Sequence, residues 1–155
     1  MLSRQSHLLS LGSFVILSCF VSSCSESNGP EDERLFVGGT YATQVSLTQN
    51  SCTGINVQPL PTTVSHAEGA TTLSIQHGPL TYTGTVSSSG SFTTTPNVVQ
   101  DPPAGIQTTL TIAGQFSRTG FVADVTANVL KNTPPDCAYT VHWIGTKQGS
   151  VNVIP

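Results

Sequence analysis

Leu110-Thr111-Ile112-Ala113-Gly114-Gln115-Phe116-Ser117-Arg118-Thr119-Gly120-Phe121-Val122-Ala123-Asp124-Val125-Thr126-Ala127-Asn128-Val129 reads as two strands joined by a turn. Leu110, Ile112, Gly114 and Phe116 share one face, and Ser117 to Gly120 reverses the chain. Phe121, Ala123, Val125, Ala127 and Val129 then line one face of the next strand. Alternation with a period of two marks a strand buried on one side. The pattern occurs earlier as Leu80-Thr81-Tyr82-Thr83-Gly84-Thr85-Val86-Ser87, followed by Gly90 and Phe92. Each copy is a strand, a glycine-containing turn and the start of another strand. A repeated hairpin predicts an up-and-down meander. Gly84 and Gly114, inside strands, are expected where the sheet curls.

Working outward, Tyr41, Thr43, Val45 and Leu47 alternate with polar neighbours, as do Leu73, Ile75 and His77 before the Gly78-Pro79 turn. Phe92 and Thr94 continue a short strand. Pro96 to Gly105 and Asn132 to Asp136 read as loops, and Cys137, Tyr139, Val141, Trp143 and Gly145 form a last strong strand. Ile55 to His66 reads as one broken strand, because Pro59 and Pro61 interrupt a ladder. Val151 to Ile154 reads as a short edge strand or a frayed tail. No window shows a 3.6-residue apolar stripe. Charged residues are 8 % of the chain, and Thr, Ser, Gly and Asn take their place. β-Branched Thr fits a half-wet pleated surface, so the composition favours an exported all-β domain.

The start of the chain has a different character. Arg4 is the one formal charge before Glu26, and Leu8 to Val21 is an apolar run of about 14 residues, too short to span a bilayer as a helix. Val21-Ser22-Ser23-Cys24 follows. This order resembles the lipobox of bacterial lipoproteins. The resemblance implies a signal peptide over 1–23, cleavage before Cys24, and acylation of Cys24 on its sulfur and its new amine. It implies a membrane anchor, since each buried methylene contributes about 0.8 kcal/mol. Ser25 in place of Asp implies sorting to the outer membrane of a two-membrane cell, facing the periplasm or the outside. Residues 24–37, with Glu26, Glu31, Asp32 and Glu33, read as a lipidated, disordered tether, and 38–155 as the folded domain.

Removing residues 1–23 leaves 132 of the 155, one domain's worth, and moves the net charge from −3 to −4 as Arg4 departs. Half of the acids sit in the tether. Beyond it Glu68, Asp101, Asp124 and Asp136 face Arg118, Lys131 and Lys147, so no basic stripe awaits phosphates and nucleic acid is not an expected partner. Cys19 leaves with the signal and Cys24 carries lipid, which pairs Cys52 with Cys137 in an oxidising compartment. In an eight-strand meander the first strand ends, and the eighth begins, at the same end of the sheet. If the sheet closes, the two are neighbours and their cysteines fall within the roughly 5.5–6 Å Cα separation of a disulfide.

Gly39-Thr40-Tyr41, the alternating strands, short turns and late bridging cysteine are similar to the small lipocalin-like (calycin-like) barrels of bacterial lipoproteins, over roughly Gly38 to Lys147. Lipocalins proper carry Gly-x-Trp where this chain has Tyr41. The expected fold is therefore an up-and-down antiparallel β-barrel of about eight strands, with a β-sandwich as rival. An immunoglobulin-like sandwich places Trp between the bridged cysteines, whereas Trp143 follows Cys137.

Chemistry is sparsely signalled. His66, His77 and His142 lack the spacing of zinc motifs, and no metal or other cofactor is expected. No Gly-x-Ser-x-Gly elbow occurs, acids are few, and no catalytic residue is singled out. Tyr82, Phe92, Phe116, Phe121, Tyr139 and Trp143 read as core. The expected function is a non-catalytic binding module for a small apolar ligand or an envelope partner. A structural envelope protein with a filled barrel comes second and a hydrolase third. A convergent Ser, His and carboxylate would favour the third.

Overall fold

The computed structural model describes residues 34–155, which fold as an all-β domain. Its strands are β1 (Gly39–Asn50), β2 (Thr62–Ser65), β3 (Thr72–His77), β4 (Leu80–Val86), β5 (Ser91–Thr94), β6 (Asn97–Asp101), β7 (Ile106–Ser117), β8 (Gly120–Lys131) and β9 (Cys137–Lys147). Eight of them close a ring in the order β1-β2-β3-β4-β5-β7-β8-β9, with β9 back on β1, and every pairing is antiparallel. This is the expected barrel. β6 lies outside the ring on the first half of β7.

β6 corrects the sequence reading, which took Pro96 to Gly105 as a loop. Pro96 and Pro102 flank the strand without interrupting it, and Val98 and Val99 favour extended backbone. β5 pairs Thr93 with Ala113, and β6 resumes with Asn97 on Leu110. One extra residue at this bend separates two stretches of what is otherwise a single long partner for β7. β6 therefore leaves the up-and-down parity of the ring unchanged. The second strand also shrinks, to Thr62–Ser65, because the segment rich in proline before it makes no ladder.

Leu35 and Val37 are buried, and Phe36 bridges to Val153. The packed domain thus begins ahead of Gly38, and residues 34–37 belong to it rather than to a tether, because their apolar side chains find a surface to cover. The signal, Cys24 and residues 25–33 lie outside the described residues.

Turns of the barrel alternate between two ends. One end gathers the β2–β3, β4–β5 and β7–β8 turns with the first and last of the described residues. Here Tyr41, Phe92, Phe116 and Phe121 pack with ring centroids 4.6–6.3 Å apart, and Val37 and Asn152 close the base. Edge-on aromatic pairs of this kind add about 0.5–1.5 kcal/mol each beyond area burial. Gly84 and Gly114 make this packing possible. A Cβ on Gly84 would strike the Thr93 backbone, and one on Gly114 would strike the Val122 carbonyl and the Phe92 ring. Both glycines sit where a neighbouring strand leaves no room for a side chain.

The other end is a mouth formed by the loop from Ser51 to Pro61, the Gly78-Pro79 turn, and the β6–β7 and β8–β9 connections. Cys52, just past β1, and Cys137, the first residue of β9, form a disulfide there with Cα atoms 5.2 Å apart. It fastens the β1–β9 seam, as the closure argument required.

Candidate functional site

The mouth holds side chains whose polar tips the fold uses only in part. Alternation along β3 turns His77 inward with Leu73 and Ile75, and alternation along β9 turns Trp143 inward with Val141. The two rings stack across the interior with centroids 4.2 Å apart and planes 29° from parallel. His77 Nδ1 lies 2.9 Å from Thr62 Oγ1 on β2. Thr43 Oγ1 on β1 donates to Thr62 Oγ1 at 2.7 Å. The Thr62 hydroxyl, which can both donate and accept, links Thr43 to the His77 ring, and His77 Nε2 makes no hydrogen bond among the described residues. Burial lowers the His77 pKa from its ordinary value, so the ring is held neutral.

Tyr82 on β4 and Tyr139 on β9 complete the polar set. Burial pushes the Tyr82 phenol up to about 12, with the neighbouring Tyr139 adding to the effect, and burial raises Tyr139 as well. Tyr82 is 3 % exposed and Trp143 5 %. Neither the Tyr82 hydroxyl nor the Trp143 indole N–H has a hydrogen-bond partner among the described residues. Yet no fully sealed side-chain polar atom there is left unsatisfied. Both tips therefore keep some solvent exposure. Val45, Val57, Leu80 and Tyr139 pack partly buried on the core around them.

At the sealed end the polar groups are consumed. Lys147 Nζ donates to the Gly38 carbonyl, to Asn152 Oδ1 at 2.9 Å and to the Tyr41 hydroxyl at 3.3 Å, and stands 4.8 Å from the Tyr41 ring centroid. The Tyr41 hydroxyl lies 2.6 Å from the Val37 carbonyl and 2.8 Å from Asn152 Oδ1. Burial lowers the Lys147 pKa, and burial raises that of Tyr41 against the opposing hydrogen bond with Asn152. This network joins Val37 and Asn152 to the barrel, and nothing local in the sequence signals it.

The three histidines do not converge. His66 sits at the sealed end, where its Nδ1 accepts from the Val37 N–H at 3.4 Å and its Nε2 lies 2.9 Å from the Ala70 carbonyl. His77 lines the mouth, and His142 faces outward. Among the described residues no group of three or more His, Cys, Asp or Glu side chains gathers to hold a metal ion.

One row on the outer wall carries nucleophile chemistry in the right order. Ser46, His142 and Asp124 are lateral neighbours on β1, β9 and β8, and His142 Nδ1 lies 2.8 Å from Asp124 Oδ1. Asp124 orients the imidazole and leaves its Nε2 open. Ser46 makes no hydrogen bond to it among the described residues, and the His and Asp side chains are 35 % and 60 % exposed. Solvent screens the pair on this convex face. Surface clefts of about 490 and 400 Å³ lie beside β6 (Gln100, Gly105, Lys131) and beside the sealed end (Arg34, Glu68, Pro155). Neither is lined by the mouth's aromatic residues.

Comparison with known protein families, curated proteins and solved structures finds no match for this chain.

Proposed function

We propose that this protein is an exported, membrane-anchored, non-catalytic binding module whose ligand enters the barrel mouth. The anchor is Cys24 at the processed N-terminus, and the barrel is of lipocalin-like type. One observation carries the reading. The two ends of one apolar core are treated differently: polar tips at the sealed end are tied to one another, whereas the Tyr82 hydroxyl, the Trp143 indole N–H and the second ring nitrogen of His77 make no hydrogen bond among the described residues. A buried site with a few convergent polar groups in an apolar wall is what a small-molecule pocket requires. The Cys52–Cys137 disulfide supports a location outside the cytoplasm. The outer membrane of a two-membrane cell is the expected one.

A second reading, a structural envelope protein with a filled barrel, is favoured by the four-ring plug of Tyr41, Phe92, Phe116 and Phe121. Native mass spectrometry of the protein purified from its host separates the two. A small molecule retained in stoichiometric amount supports binding. Repeated recovery of the bare chain supports the structural role.

A further inference from the structure

We propose that the mouth takes an uncharged ring compound bearing a carbonyl acceptor. The inference rests on the mouth being a binding site and adds the chemistry of what binds. Trp143 contributes only a donor, its indole N–H. The Tyr82 hydroxyl makes no hydrogen bond among the described residues and is free to donate as a second. His77 Nε2, the ring nitrogen away from Thr62, is likewise without a hydrogen bond there. A buried donor without an acceptor costs about 1–3 kcal/mol, so a ligand that supplies an acceptor here gains what water must otherwise provide.

The body of the ligand is set by the wall. Val45, Leu80 and Tyr139, all partly buried, offer apolar and aromatic contact beside the His77–Trp143 stack. A planar ring matches the stacking geometry already adopted by His77 on Trp143. The charge of the ligand is set by what the wall omits. Among the described residues, Arg34, Glu68, Arg118 and Lys147 lie at the sealed end, Asp124 on the outside, Asp101 and Lys131 at the ends of β6 and β8, and Asp136 in the β8–β9 loop. His77 is neutral. A buried charge without a counter-charge is costly, so an ionised ligand is disfavoured.

Three single-ring probes of matched size test this: acetophenone, ethylbenzene and benzoate. The full chain, labelled with ¹⁵N and held in lipid nanodiscs, is titrated with each, with empty discs correcting for probe taken up by lipid. Trp143 is the one tryptophan in the chain, so its indole N–H gives a single resonance that reports on the site. Acetophenone is expected to shift that resonance and to bind about tenfold tighter than either of the others, as one well-made hydrogen bond provides. Y82F should narrow the preference for acetophenone over ethylbenzene while ethylbenzene binding stays the same. Equal binding of ethylbenzene overturns the acceptor requirement, and equal binding of benzoate overturns the requirement for no charge. Either result leaves the mouth a binding site. A Trp143 resonance unmoved by all three probes overturns both the ligand class and the site.

Discussion

Asn152 Oδ1 lies 2.9 Å from Lys147 Nζ and 2.8 Å from the Tyr41 hydroxyl, so one amide near the C-terminus joins the last strand to the first. Its Nδ2 donates to the Ser117 carbonyl at 2.7 Å and reaches toward Gly120 at 3.3 Å. Asn152 is 1 % exposed, so these bonds are made inside the fold.

Asn152→Ala should therefore destabilise the domain by about 2–3 kcal/mol, the cost of leaving several buried groups without partners. Urea unfolding should show a lower midpoint with an unchanged slope. A midpoint equal to wild type would mean that the termini do not seal the barrel.

His77 sets a pH dependence. Its pKa is lowered in the fold by burial, so below about 6.5 the unfolded chain takes up a proton before the native chain does. The stability contribution of neutral His77 is thus complete above that range and declines as pH falls through it. His77→Gln should show a smaller loss of stability between pH 7.5 and pH 5 than wild type. Parallel losses in the two proteins would contradict the assignment.

The Cys52–Cys137 bridge spans a sequence separation of 85 residues. Cross-linking a loop of that length restricts the unfolded chain by about 3–5 kcal/mol in the chain-entropy model. Replacing both cysteines by Ala should lower stability by that order while the barrel persists. Circular dichroism for the fold and denaturant midpoints for the stability check both halves of the statement.

Gly84 tolerates no side chain, because a Cβ there meets the Thr93 backbone. Gly84→Ala should cost about 1–3 kcal/mol as β4 and β5 are forced apart. Amide exchange should rise first at Phe92 to Thr94. Wild-type protection at those amides would count against the close approach.

Cys24→Ala should free the protein from membranes or leave it uncleaved, as fractionation followed by intact-mass measurement will show. Correct processing of the mutant with normal membrane retention would remove the lipid anchor from the account.

Much of the barrel was legible in the chain because alternation is a local property. Leu110 to Phe116 and Phe121 to Val129 could be placed on one inward face before any partner was known, and they became the inner wall of β7 and β8. The Cys52–Cys137 pair followed from counting and parity. β6 was not legible, since Val98-Val99 between prolines is too short to establish a period, and only the neighbouring edge of β7 makes it a strand. The packing of Leu35 to Val37 was hidden for a related reason. Leu35 accepts from the Gly69 N–H, Val37 donates to His66, and Phe36 pairs with Val153 near the other end of the chain, and nothing local announces such contacts.

The sequence by itself determined an all-β meander with two cysteines at one end, because strand periodicity and turn residues act over a few neighbours. Only the tertiary structure decided which polar side chains would be satisfied. His77 and Lys147 both end a strand, but closure of the sheet surrounds Lys147 with acceptors and sets His77 against Trp143 with a nitrogen to spare. Hydrogen-bond satisfaction depends on groups brought together from distant strands, and that information exists only once the barrel has closed.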